Sequence, residues 1–150
     1  MRIGQLLLLV TLAWAVIATC TAAFLYAENQ RLARQAAALR SRVVVVNVLI
    51  DYGNGTRVWF NSTVLRRGAT VLDALMAVAK VNYTLGSYGA FVNSINGVAN
   101  RVVSKNEGYY WMWYIYDRSS RTWRLGEVAS NAYELSDGDV IMWKYQKVKW

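Results

Sequence analysis

Tyr109-Tyr110-Trp111-Met112-Trp113-Tyr114-Ile115-Tyr116-Asp117 is the stretch on which the reading of this chain turns. Eight consecutive aromatic or aliphatic residues, six of them aromatic, lie between a polar loop (Ser104 to Gly108) and a polar turn (Arg118 to Arg121). Such a run, bounded by turn residues, predicts a β-strand, because aromatic and branched side chains pack well on a pleated surface. Side chains alternate along a strand, so Tyr109, Trp111, Trp113 and Ile115 share one face and Tyr110, Met112, Tyr114 and Tyr116 the other. Both faces are apolar. The strand is then either central and covered on both sides, or it carries an aromatic shelf that meets a partner. Trp111 and Trp113 are assigned to the core, and the even face is the candidate for outside contact.

The flanking sequence supplies partners for this strand. Downstream, Thr122-Trp123-Arg124 pairs back across the Arg118–Arg121 turn. A loop including Tyr133 and Leu135 precedes the turn Ser136-Asp137-Gly138-Asp139. Val140–Trp150 is the last strand, with Ile141, Trp143 and Tyr145 on one face. Upstream, Tyr88–Ile95 reads as a strand and Asn96-Gly97 as a type I′ turn, and Val98–Ser104 leads to the aromatic strand. Asn82–Ser87 reads as a polar loop. Thr70 caps a helix through Lys80, with Asp73 completing an acidic capping box, and Val71, Leu75 and Val78 form the stripe that lays it on a sheet. Val43–Asp51, with an apolar even face (Val44, Val46, Val48, Ile50), turns through Tyr52-Gly53-Asn54-Gly55 into Arg57–Leu65. Two hairpins, one crossing helix and a closing strand predict an α+β domain with a mixed sheet over residues 43–150.

Ile3–Ala27 holds 25 residues without a charge, more than the ~20 a helix needs to cross a bilayer. Residues 1–27 are expected to be a transmembrane signal-anchor helix. Small residues at Ala18, Cys20, Ala22, Ala23 and Ala27 leave cleavage near Ala23 or Ala27 as the alternative. Residues 28–42 are strong helix formers without a breaker and read as a helical basic stalk. Leu25, Leu32 and Leu39 recur every seven residues, with Ala22, Asn29 and Ala36 at the complementary positions, the pattern of a short coiled coil that would make an oligomer through the stalk. An apolar helix carrying a β domain also fits a pilin-like subunit, although Arg2-Ile3-Gly4-Gln5 lacks a charge beside the glycine.

The net charge is +8. Four arginines stand against one glutamate in the stalk, and Lys144, Lys147 and Lys149 crowd the C-terminus. No nucleic-acid module accompanies these charges, so they point to an anionic membrane or envelope surface. Three sequons, Asn54-Gly55-Thr56, Asn61-Ser62-Thr63 and Asn82-Tyr83-Thr84, fall at predicted turns or strand edges. They place the domain outside the cytoplasm, on a single-pass protein of the cell membrane. Histidine is absent and Cys20 is the one cysteine, which excludes an intrachain disulfide, a His- or Cys-based metal site and a His-based triad. No cofactor and no metal is expected.

Five blocks together carry a resemblance: Ile50-Asp51-Tyr52-Gly53-Asn54-Gly55; Gly68-Ala69-Thr70-Val71-Leu72-Asp73-Ala74-Leu75; Tyr88 through Gly97; Tyr110-Trp111-Met112-Trp113-Tyr114; and Leu135 through Tyr145. Over roughly 43–145 the chain is similar to the family of unknown function related to the C-terminal β domain of transcobalamin and intrinsic factor. The resemblance implies a ubiquitin-like, β-grasp-type core with an added hairpin, on a secreted or surface-anchored protein of a prokaryotic envelope. In transcobalamin-like proteins cobalamin is held between this domain and a larger helical one, for which these 150 residues leave no room. No ligand-contacting residue carries over.

Residue chemistry points to binding rather than catalysis. Asp137 and Asp139 flank a glycine, as a tight turn before a strand requires, and the further oxygen ligands of a calcium loop are missing. Other carboxylates have no nucleophile or proton shuttle beside them. Tyr110, Tyr114, Tyr116 and Trp59 are the residues placed to stack a sugar, a flat ligand or a protein partner. The expectation is a non-catalytic, membrane-anchored binding or adhesion module, with an envelope protein or glycan as partner, and a pilin-like or stalk-forming subunit as the alternative.

Overall fold

A computed structural model describes residues 3–149 and divides into two units, Met1–Ser41 and Arg42–Trp150. Trp150, placed by the sequence at the end of the last strand, lies outside the described residues, as does Arg2.

The first unit is one continuous helix, α1 (Ile3–Arg40), of 38 residues. At ~1.5 Å per residue it is about 57 Å long, and its apolar portion, with a mean hydropathy of 2.2, is long enough to cross a membrane. Hydroxyls inside this stretch are satisfied within the helix. Thr11 donates to Leu8 O, Thr19 to Ala15 O and Thr21 to Ile17 O, which is what a hydroxyl needs where no water reaches it. Leu25, Leu32 and Leu39 are all exposed along it.

The second unit runs β1 (Val43–Asp51), β2 (Arg57–Arg66), α2 (Val71–Val78), β3 (Val81–Gly86), β4 (Gly89–Ile95), β5 (Val98–Ala99), β6 (Arg101–Ser104), β7 (Glu107–Asp117), β8 (Thr122–Leu125) and β9 (Val140–Lys149). It is mixed α+β, with a curled six-stranded sheet in the order β2-β1-β9-β7-β6, β8 pairing with β7, and a three-stranded sheet β3-β4-β5. β1 and β9, the first and last strands, pair in parallel, while β2 and β7 flank them antiparallel.

The core lies on one face of the large sheet. Val44, Val46, Val48 and Ile50 of β1, Ile141 and Trp143 of β9, and Trp111 and Trp113 of β7 pack with Val71, Leu72, Ala74 and Leu75 of α2 and with Val92 and Ile95 of β4. The even face of β1 and the odd face of β7 are therefore inward, as alternation predicts. α2 starts with the expected reciprocal cap: Thr70 Oγ1 accepts from Asp73 N–H and the Asp73 carboxylate accepts from Thr70 N–H. Two of its remaining N-terminal N–H groups are taken by the 126–135 segment, Val71 N by Tyr133 O and Leu72 N by Ser130 O. The helix ends at Val78, two residues before the expected Lys80, because Ala79 turns to an extended conformation.

Asn82–Ser87, expected as a polar loop, is mostly strand. β3 pairs antiparallel with β4 from Val81↔Ile95 to Gly86↔Gly89. It is an edge strand with the short alternation Val81-Asn82-Tyr83-Thr84-Leu85, and its residues from Asn82 on are exposed; the loop expected from Asn82 cuts Val81 from that alternation and follows the polar residues instead. The expected Val98–Ser104 element is divided at Asn100: β5 stays with β4 and β6 crosses to β7. Asn96 and Gly97 both have positive φ, 49° and 86°, as a type I′ turn requires.

Thr70→Ala should lower the stability of the second unit by about 1 kcal/mol, measured by urea unfolding of the full chain in nanodiscs with tryptophan fluorescence. An unchanged midpoint would mean that the apolar stripe holds α2 without its cap.

Candidate functional site

The candidate site is built by strand register. On the sheet face opposite α2, Trp59 of β2 is beside Leu49 of β1, Leu49 beside Met142 of β9, Met142 beside Tyr114 of β7, and Tyr114 beside Leu125 of β8. Strands lie ~4.8 Å apart, so this row extends about 19 Å and sets Trp59 some 14 Å from Tyr114. Leu49 and Met142 are outside the main core cluster yet only 5% and 7% exposed. Trp59 (48%) and Leu125 (48%) form the exposed ends.

Tyr116 extends the aromatic character along β7, with its ring edge-on to Trp123 at 5.2 Å. Gln146 Nε2 donates to Tyr114 Oη at 2.7 Å, which fixes that phenol in place. A polar rung lies on the other side. Arg57, Asp51, Lys144 and Met112 are cross-strand neighbours, and Asp51, nearly buried, pairs with the Arg57 guanidinium at 3.0 Å and accepts the Gly53 N–H. The face thus offers flat apolar surfaces with hydrogen-bonding groups at their border, a combination that suits stacking against a sugar ring or a protein side chain.

Of the four residues singled out from the sequence, Trp59, Tyr114 and Tyr116 share this row or its neighbour. Tyr110 is on the same face but further along β7. Its ring lies against Gly108 and 6.1 Å from that of Phe91 on β4, in a separate aromatic group. Sequence reasoning missed Leu49, Met142 and Leu125 as members of the face. Only the pairing partners of their strands identify them, and register is not written in any one strand. The three sequon asparagines, Asn54, Asn61 and Asn82, are all exposed, and Asn54 Oδ1 accepts from Thr56 N–H at 3.0 Å.

The carboxylates are occupied by the backbone. Asp137 Oδ1 accepts from Val45 N–H and Asp139 Oδ2 from Ser136 N–H, with Gly138 at φ 83° between them; the tight-turn reading of Asp-Gly-Asp holds. Asp117 sits across a polar cleft of about 360 Å³ from these two. Its Oδ1 accepts from Ser119 Oγ at 2.6 Å and from Ser119 N–H at 2.9 Å. Those bonds to Ser119, helped by Ser120 and opposed by burial, lower its pKa from 3.8 to about 2. Tyr133 is pushed up by burial and by the charge of Asp139, against the pull of Arg124. Among the described residues no group of three or more His, Cys, Asp or Glu side chains is placed to hold a metal ion.

Packing of the 126–135 segment supports β7 from the core side. Gly126 N–H donates to Trp113 O, and the Trp113 indole lies so close that a Cβ on Gly126 would meet Cε2 at 1.9 Å. The Trp113 Nε1–H donates to Val128 O, and its ring packs 5.1 Å from Tyr133.

Two outcomes follow. Gly126→Ala should destabilise the sheet unit by about 1–3 kcal/mol, since the added methyl overpacks the indole; thermal unfolding reads this, and a neutral result would mean the segment shifts freely. The lowered Asp117 pKa favours the folded state above pH 3.8, and this contribution is lost as pH falls from 3.8 toward about 2. Asp117→Asn should therefore flatten that part of the stability-against-pH curve. Identical curves for variant and wild type would remove Asp117 from the acid response.

The comparisons with known proteins agree with this architecture. A candidate metal-binding protein from Ruminococcus gnavus is similar over 70% of this chain and 98% of its own, at 17% identity and a TM-score of 0.52. Haptocorrin, transcobalamin-like and solved in complex with Cbi, is similar over 70% of this chain at 12% identity and a TM-score of 0.56. The chain spans only 25% of haptocorrin's length. At these identities the likeness is one of fold. No curated protein sequence matches the chain. Residues 68–147 match the model of a domain of unknown function, DUF4430, over more than half of the sequence, and the chain belongs to that family.

Proposed function

We propose that this protein is a membrane-anchored binding or adhesion module of the cell envelope, non-catalytic, with its sheet unit outside the cytoplasm. The observation that carries the reading is the row Trp59–Leu49–Met142–Tyr114–Leu125 on the sheet face away from α2. With Trp59 and Leu125 exposed at its ends and Tyr114 and Tyr116 half-buried between polar Arg57, Lys144 and Gln146, the face suits docking of a partner better than bond-breaking chemistry. In this reading Trp59, Tyr114 and Tyr116 stack against an envelope glycan or a protein partner, and Tyr110 extends the contact.

The parallel β1–β9 pair with α2 packed on it supports a β-grasp-type core. Charge-free α1 residues would hold the bilayer, and the exposed sequon asparagines suit an extracytoplasmic, glycosylated domain. A ligand of the kind bound by haptocorrin, which holds Cbi, is a narrower version of the same reading. The exposed Leu25, Leu32 and Leu39 favour one alternative, a stalk-forming or pilin-like subunit assembled through α1.

Protease digestion of intact cells should degrade the sheet unit, and intact mass should show an uncleaved chain with glycan increments on Asn54, Asn61 or Asn82. A protected domain would sink the extracytoplasmic placement, and cleavage after Gly4 would favour the pilin-like subunit. The double variant Tyr114→Ser, Tyr116→Ser should stop the protein co-sedimenting with envelope polysaccharide while costing about 1–2 kcal/mol of stability. Collapse of the fold with sedimentation unchanged per folded molecule would make the face a core surface.

A further inference from the structure

Beyond the aromatic face there is a second feature, at the edge of β7. β6 pairs with Glu107–Tyr109 and β8 with Tyr114–Asp117, so no strand lies beside residues 110–113 on that edge. Single hydrogen bonds cross the gap: Asn100 Oδ1 accepts from Trp111 N–H and Gly126 N–H donates to Trp113 O. Between this edge, β4 and the 125–130 segment lies a cavity of about 220 Å³.

Its rim is apolar and open, with Phe91, Leu125 and Val128 each about half exposed. Its inner lining includes Trp143 and Ser130, each only 2% exposed. The Trp143 Nε1 and the Ser130 Oγ are the two buried side-chain polar atoms without a hydrogen-bond partner among the described residues. The other two core tryptophans make the contrast. Trp111 Nε1–H reaches Val98 O at 2.8 Å and Trp113 Nε1–H reaches Val128 O at 3.0 Å. Native cores seldom leave buried donors unmatched, and an unmatched one calls for an explanation. Both atoms are closed to solvent but belong to residues that line this one apolar cavity, so a group that enters it and displaces the side chains over them would supply the acceptor both lack.

We propose that this cavity binds a small, neutral, largely apolar group carrying an acceptor oxygen, to which Trp143 Nε1–H and Ser130 Oγ–H donate. Size fits, since ~150 Å³ already holds a benzene ring. Neutrality follows from the lining, which contains no charged side chain; an ion would lose its hydration there and gain no counter-charge. The apolar rim receives the body of the ligand, and the Trp111 and Trp113 rings form the walls.

Benzamide, a neutral ring with a carbonyl acceptor, is the probe, titrated into isotope-labelled full-length protein in nanodiscs. The Trp143 indole N–H resonance, assigned by its loss in Trp143→Phe, should move saturably while those of Trp14 and Trp59 stay in place. Benzoate, the charged analogue, should not move it. Ser130→Ala should weaken binding on the order of fivefold, the worth of one hydrogen bond. Leu125→Glu, a change at the exposed rim that leaves the core intact, should weaken it further. A Trp143 signal that ignores benzamide to its solubility limit would mean that water alone satisfies the two donors, and the proposal would fail. Equal responses to benzoate, or titrations unaltered by both Ser130→Ala and Leu125→Glu, would overturn it as well.

Discussion

The parallel pairing of β1 with β9 is the constraint on which the sheet unit depends. Val48 lies beside Ile141 and Ile50 beside Trp143, so the first and last strands of the domain share the centre of one core. Parallel strands need a long crossover, and here it is most of the domain: hairpin, helix, second sheet and aromatic strand all lie between β1 and β9. The turn before β9 secures the junction. Asp137 accepts from Val45 N–H, Gly138 N–H donates to Val45 O, and Asn47 N–H donates to Asp139 O. The Asp-Gly-Asp motif is thus a clasp that aligns the last strand on the first.

With that centre in place, the two faces of the sheet acquire different duties. The inward face is closed by α2, β4 and the 126–135 segment, which also satisfies the N-terminus of α2 through Tyr133 O and Ser130 O. An irregular segment of this kind would be costly to bury without such bonds. Here its carbonyls do double service, capping a helix and accepting the Trp113 indole N–H. The other face has no helix of this unit on it among the described residues, and Trp59 and Leu125 stand about half exposed on it. The proposed binding surfaces are accordingly that face and the edge of β7, where the regular hydrogen bonding stops.

Much of this was legible in the residues. Alternation placed Val44, Val46, Val48 and Ile50 inward and paired Trp111 with Trp113 on the core side. Thr70 and Asp73 announced a cap, and Asn96-Gly97 announced a turn. β3 reads as a loop because its alternation, Val81-Tyr83-Leu85, is only three residues long and is interleaved with Asn82, Thr84 and Gly86, which also suit a loop. The split of Val98–Ser104 between two sheets was hidden for a related reason: Asn100 marks it only through its contacts with Val92 O and Trp111 N–H. Alternation put Tyr114 and Tyr116 on one face of β7, but nothing local showed that Trp59 of another strand shares it.

By itself, then, the sequence determined which segments are helix and which are most of the strands, which side of each strand faces inward, and that the charge-free N-terminal run is long enough to cross a membrane. These depend on periodicity, capping and side-chain chemistry, all of them local. Tertiary structure alone decided the order of the strands, the row that joins Trp59 to Leu125, and the pair of unmatched donors at Trp143 and Ser130. These are properties of register and of gaps in packing, set by contacts between residues far apart in the chain, and no single stretch of it contains them.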